Sequence, residues 1–106
     1  MKKYITDILT NKIAGMTIED IRADYTEAQK KRIIDYFKRF DAVAFTSQPV
    51  FDAFTGQKVA AADNGYTDGI YTWYRSEMYY FEHYGLRLRK DFIEHVMRTV
   101  PQVTAK

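Results

Sequence analysis

The chain has 106 residues, a formal net charge of +2, 16% aromatic residues and no cysteine. That length fits one self-sufficient domain, and the missing cysteine excludes a disulfide framework, thiolate metal sites and a cysteine nucleophile. A charge so near neutral excludes a strong global field for steering nucleic acid, and no apolar run approaches the ~20 residues of a membrane span.

Taken in order, the chain first shows Ile5, Ile8, Leu9 and Ile13 at spacings of three and four, which predicts a helix over 2–13 that stops at Gly15. The opening lacks the continuous apolar block of a signal peptide, so a soluble, cytoplasmic protein is expected. Thr17 is an N-cap candidate, with Asp20 supplying a carboxylate at the positive helix end, and predicts a short helix over 18–25. Thr26-x-x-Gln29 matches a capping box and opens a third helix to about residue 40. Ile33, Phe37 and Phe40 line its inner face, and Glu27–Lys31 and Asp35–Arg39 are spaced as ion pairs.

From Asp41 the period changes. Val43 and Phe45 alternate, residues 50–54 read as a short strand, Thr55-Gly56 as a turn and residues 58–61 as the returning arm. Asn64-Gly65 and Asp68-Gly69 are further turn signals, leaving only short extended pieces at 66–67 and 70–73. Ser76 is a cap candidate for a helix over 77–84 that Gly85 closes, with Met78 and Phe81 inward and Glu77 and Glu82 wet. Leu86 and Leu88 alternate with Arg87 and Arg89, and Phe92, Ile93, Val96 and Met97 have core spacing on a last helix over 89–99. Pro101 prevents its continuation and the tail to residue 106 is expected to fray. The expected fold is α+β and mostly helical. Helices over 2–40 and a C-terminal helix pair over 77–99 surround a small antiparallel strand and loop centre over 42–73.

The chemistry is sparse. His83 and His95 each follow a glutamate, but neighbours on a helix point to different sides, and no metal-binding spacing is present, so both read as surface or helix-end residues. Ser47 and Ser76 lie in no nucleophile elbow, and no glycine-rich phosphate loop is present. Asp68 sits among aromatics and is a candidate acid or base, although an aspartate before glycine more often bonds its own turn. Asp52 reads the same way before Thr55-Gly56. No enzyme, cofactor or metal is expected.

Two binding readings remain. Residues 27–40 hold five cations against two carboxylates, and Lys30, Lys31, Lys38 and Arg39 could contact nucleic acid in a loosely helix-turn-helix arrangement. Residues 41–69 are acidic, and the stretch 64–85 carries six of the nine tyrosines and the only tryptophan. Aromatic side chains and arginine concentrate binding energy at protein interfaces. Tyr66, Asp68, Tyr71, Trp73 and Arg75 are therefore the expected partner-binding residues, within an aromatic and acidic surface in 50–75. Alternation puts Tyr71 and Trp73 on one strand face and Ile70, Thr72 and Tyr74 on the other, so one set is core and one can meet a partner. Trp73→Ala is expected to weaken binding with only modest loss of fold.

The pattern Asp52-x-x-Thr55-Gly56, Tyr66-x-Asp68-Gly69-x-Tyr71-x-Trp73 and Tyr80-x-x-x-Tyr84-x-Leu86-x-Leu88-x-x-x-Phe92-Ile93 resembles small bacterial proteins of unassigned function, some of them immunity proteins encoded beside polymorphic toxins. This resemblance, over 52–97, implies a cytoplasmic, antitoxin-like inhibitor that binds a toxin domain. An inhibitor of a nuclease would be expected to be more acidic than this chain. A monomer or a homodimer fits equally.

Overall fold

The computed structural model describes residues 3–99. Its elements are β1 (Lys3–Tyr4), a 3-10 helix (Thr10–Gly15), α1 (Ile18–Ile21), α2 (Glu27–Phe37), β2 (Val50–Phe51), β3 (Lys58–Ala60), β4 (Gly65–Thr67), β5 (Tyr71–Tyr74), α3 (Arg75–Tyr84) and α4 (Lys90–Thr99). The fold is α+β, 42% helical and 18% strand, so helix predominates less than expected. The expectations for Pro101 and the tail fall outside the described residues.

β5 is the pivot. It pairs antiparallel with β4, bringing Tyr66 opposite Trp73, and parallel with β1, bringing Lys3 opposite Tyr71. Its side chains alternate: Tyr71 and Trp73 are buried, while Tyr74 on the other face is 43% exposed. The inner row meets Tyr36 and Phe37 of α2 and Phe92 of α4, with Phe81 of α3 packed on Phe37. Trp73 is fully enclosed, stacked on Tyr66 at 6.4 Å and crossed edge-on by Phe40 at 5.8 Å. Its indole N–H is the one buried side-chain polar atom among the described residues with no hydrogen-bond partner.

The expected helix over 2–13 does not form. Residues 3–4 are drawn into the sheet as β1, and Thr6 turns the chain by accepting from Ile8 N at 3.2 Å and donating to Arg87 O at 2.6 Å. Ile5, Ile8 and Ile13 are nevertheless all buried, so the apolar spacing marked the core although a single helix does not carry it. Local propensity lost to the pairing of β1 with β5, a tertiary contact that the spacing does not encode.

Both threonine caps are present. Thr17 Oγ1 accepts from Asp20 N, Thr26 Oγ1 accepts from Gln29 N, and each N3 side chain accepts from the cap amide in return. On α2, Lys31 pairs with Asp35 at 3.2 Å, replacing the two pairs expected from spacing. The hairpin of β2 and β3 forms, but its first strand ends at Phe51 rather than at 54, and its register shifts between Val50 and Phe51. Around Val43 and Phe45 only a single bridge, Ala44 to Gly65, is found, not a strand. Gly85 ends α3 at φ 72°, a left-handed conformation that strains any residue with a Cβ.

Candidate functional site

The turn at Thr6 carries the N-terminal segment away from the sheet edge and across the first turn of α3. Ile5 and Ile8 point into the core, whereas Tyr4 and Leu9 stay outside, each 60% exposed. Between this segment and α3 lies a cleft of about 650 Å³. Tyr4, Leu9 and Thr10 line it from the N-terminal segment, and Tyr74, Glu77 and Asp63 from the other side. Lys3, Asp7 and Arg89 also contribute to its lining.

The start of α3 explains the floor. Helix N-termini leave backbone donors unsatisfied, and here Asp63 meets one of them: its carboxylate accepts from Ser76 N at 2.8 Å and from Ser76 Oγ at 3.0 Å. Ser76 is therefore inside the helix and served by a cap, not the cap itself. Glu77, at the third position, reaches back to accept from Tyr74 N at 2.8 Å through Oε1. That geometry pulls Glu77 inward, to 6% exposure, and overturns its expected place on a wet face. Oε2 accepts no hydrogen bond among the described residues and is not sealed from the cleft. Burial, reinforced by the nearby negative charge of Asp63, pushes the Glu77 carboxyl up to about 7.

A folded-state value above the unfolded one means that the proton stabilises the fold. The contribution of Glu77 is full below its unfolded value of 4.5 and is lost as the pH rises through about 7. Glutamine keeps the acceptor for Tyr74 N and cannot ionise. Glu77→Gln is accordingly expected to be neutral near pH 4 and to stabilise the fold by ~2–3 kcal/mol near pH 8, read by urea unfolding at the two pH values. A change of equal size at both would contradict this account of the buried carboxyl.

The residues expected to bind a partner are divided by the structure. Tyr66, Tyr71 and Trp73 are core, at 9%, 4% and 0% exposure, and cannot serve as docking anchors without unfolding. They are the inward row of the strand alternation, and the outward row is the one that meets solvent. Asp68 is also enclosed, with a side chain 2% exposed. Its Oδ1 accepts from Ile70 N and Tyr71 N, the turn role expected for it, while Oδ2 accepts from Tyr36 OH and lies 3.0 Å from His95 Nε2. Burial alone would raise the Asp68 pKa, but these hydrogen bonds outweigh it and hold the carboxyl below the usual aspartate value. With its oxygens occupied and its surface covered, Asp68 has no access to a substrate as acid or base. Arg75 remains exposed.

Sequence reasoning missed the join between His95 and Asp68, residues that lie far apart in the chain. It also missed the second half of the Asp52 site, where Tyr79 OH and Tyr84 OH both donate to Oδ2 at 2.6 Å while Oδ1 accepts from Phe54 N and Thr55 N. Residues five apart on a helix are not neighbours on one face, so the spacing of the two tyrosines gave no signal of a shared acceptor.

The cations of α2 do not form one patch. Lys30 lines a depression with Glu27, His83 and Tyr84, whereas Lys38 lines a groove of about 310 Å³ between α2 and α3, together with Tyr66 and Arg75. Lys31 is engaged by Asp35, and Arg39 is exposed beyond the end of the helix. Among the described residues, no group of three or more histidine or carboxylate side chains could hold a metal ion, and no helix is long and apolar enough to cross a membrane. No protein-family model, curated protein or solved structure matches the chain.

Proposed function

We propose that this chain is a small protein-binding module that docks its partner over the cleft between the N-terminal segment and the start of α3, and that it acts by binding without catalysis. The observation that supports this reading is the gathering of three exposed apolar side chains, Tyr4, Leu9 and Tyr74, around a recess floored by carboxylates. Large apolar side chains held at a polar rim are typical of interface anchors. Each sits on backbone fixed by a strand pairing or a buried neighbour, so little ordering entropy is lost on binding. The resemblance over 52–97 extends the proposal to a cytoplasmic, immunity-type inhibitor whose partner is a toxin domain. The nucleic-acid reading through Lys30, Lys31, Lys38 and Arg39 is the weaker alternative, because Lys30 and Lys38 line different grooves and Lys31 is engaged by Asp35.

The test replaces Tyr4, Leu9 and Tyr74 together by serine. The triple variant is expected to keep its melting temperature within a few degrees, since exposed positions away from buried features change stability by about 0.5 kcal/mol or less. It is expected to lose the protein that the wild-type chain captures from its host lysate. Capture of the same protein by the variant and the wild type, with equal yield, overturns the docking face. Binding of duplex DNA that weakens steeply with salt would favour the α2 alternative.

A further inference from the structure

The docking proposal leaves the recess itself unexplained, and its chemistry is specific. Glu77 is more than nine-tenths buried, uses one oxygen to hold Tyr74 N, and offers the other to the cleft with no partner among the described residues. A carboxyl set this deep in the protein is costly to ionise, and a cation brought to its open oxygen from the cleft would offset that cost. The other charges of the lining are already engaged. Arg89 is held by Asp7 and Asp91, each at 3.0 Å, and Asp63 is satisfied by the amide and hydroxyl of Ser76. Lys3 carries its ammonium toward the ring of Tyr71, 5.9 Å from the centroid. What the floor lacks is a cation at Glu77 Oε2.

The walls suit one as well. Tyr4 stands opposite Thr72 across the β1–β5 pairing, and Tyr74 lies two residues further along β5, so both project from the outer sheet face. Both rings line the cleft, and no ring contact joins them. Tyrosine faces attract cations, and Leu9 on the rim offers an apolar surface for an aliphatic stem.

We infer that the cleft receives one basic side chain of the docking partner, an arginine or lysine whose charged head is bound by Glu77 Oε2 between Tyr4 and Tyr74. This rests on the docking face proposed above and assigns it a partner chemistry. Association is then pH-dependent. Bringing a cation to Glu77 favours its ionised form, so affinity is highest above about pH 7 and falls as the carboxyl takes a proton. Asp63 opposes ionisation from the loop before β4, and Lys3, Asp7 and Arg89 face the same space from β1, the turn after it and the segment before α4. Of these, Arg89 is paired with Asp7 and Asp91.

The probes are N-acetyl-arginine amide and its neutral analogue, N-acetyl-citrulline amide, titrated into the full chain near pH 8 and followed by amide NMR. The arginine probe is expected to shift the Tyr74, Ser76 and Glu77 signals and to saturate in the millimolar range. The citrulline probe is expected to bind about tenfold or more weakly, as is the arginine probe to Glu77→Gln, because a charge-assisted bond is lost in each case. Equal affinity for the two probes overturns the inference, and so do shifts that do not saturate or that survive in Glu77→Gln. The two readings fail separately. If the triple serine variant loses its partner while Glu77→Gln binds it as wild type, the docking face stands and the basic side chain falls. If arginine binds through Glu77 while the triple variant keeps its partner, the recess stands and the docking face falls.

Discussion

Trp73→Ala is expected to remove a large share of the stability of this domain. The indole is fully enclosed and meets the rings of Tyr36, Phe37, Phe40, Tyr66 and Phe92 at centroid distances between 5.4 and 6.4 Å. Those rings come from α2, β4, α4 and the segment after α2, so none can collapse into the void without moving an element. Truncating a buried tryptophan costs about 3–5 kcal/mol, set against a total of roughly 5–15 kcal/mol for a domain. The melting temperature should fall by roughly 15–30 °C, in a thermal scan followed by far-UV circular dichroism. This corrects the expectation of a modest loss. A fall of only a few degrees would mean that the indole is not the centre of the core. Trp73→Phe, which removes the unpartnered N–H and keeps most of the ring packing, should cost much less.

The same strand shows what could and could not be seen in the sequence. Alternation separated Tyr71 and Trp73 from Ile70 and Tyr74 correctly, because a strand has a period of two whatever surrounds it. Which row faced inward was not legible, since both rows are aromatic or apolar, and the answer lies with Tyr36, Phe37 and Phe92 on helices distant in the chain. Capping by Thr17 and Thr26, the turn at Asp52 and the left-handed Gly85 were legible because each is a local hydrogen-bond or backbone problem with a local solution. β1 was not, because its partner is nearly seventy residues away. The candidate site suffered most. Glu77 looks like a wet glutamate on a helical wheel, and only its position three residues after the strand end marks it as a cap that must turn inward. Tyr4 and Leu9 lay in what read as a helix face, where Leu9 was counted with the core.

Asp52→Ala is the second large loss to expect. The carboxylate is 1% exposed and accepts four hydrogen bonds, two from the turn amides of Phe54 and Thr55 and two from the hydroxyls of Tyr79 and Tyr84. It therefore ties the β2–β3 turn to the outer face of α3. Alanine leaves all four donors without an acceptor, and a bond to a charged group contributes about 1.5–3 kcal/mol. Tyr79 and Tyr84 are only half-buried and can turn to water, so the net cost should be about 3–4 kcal/mol, less than the sum. Burial would raise the Asp52 pKa, but the tyrosine and amide bonds outweigh it and lower the value. The stabilisation is thus present above the unfolded value, and is lost as the pH falls through the lower folded one. Wild type should lose stability steeply below about pH 4. Asp52→Asn, already less stable at neutral pH, should show a shallower acid limb in urea unfolding. Parallel limbs would deny the carboxylate this role.

These two sites hold the core and the central turn in place, and they leave the outer face of the sheet free for another task. Hydroxyl-radical footprinting of the chain, alone and bound to its captured partner, asks most directly whether that face is where binding occurs. Tyr4, Leu9 and Tyr74 should lose reactivity in the complex, while Phe45 and the α2 side chains keep theirs. Equal reactivity of Tyr4, Leu9 and Tyr74 in the free and bound states would contradict a docking surface over the cleft.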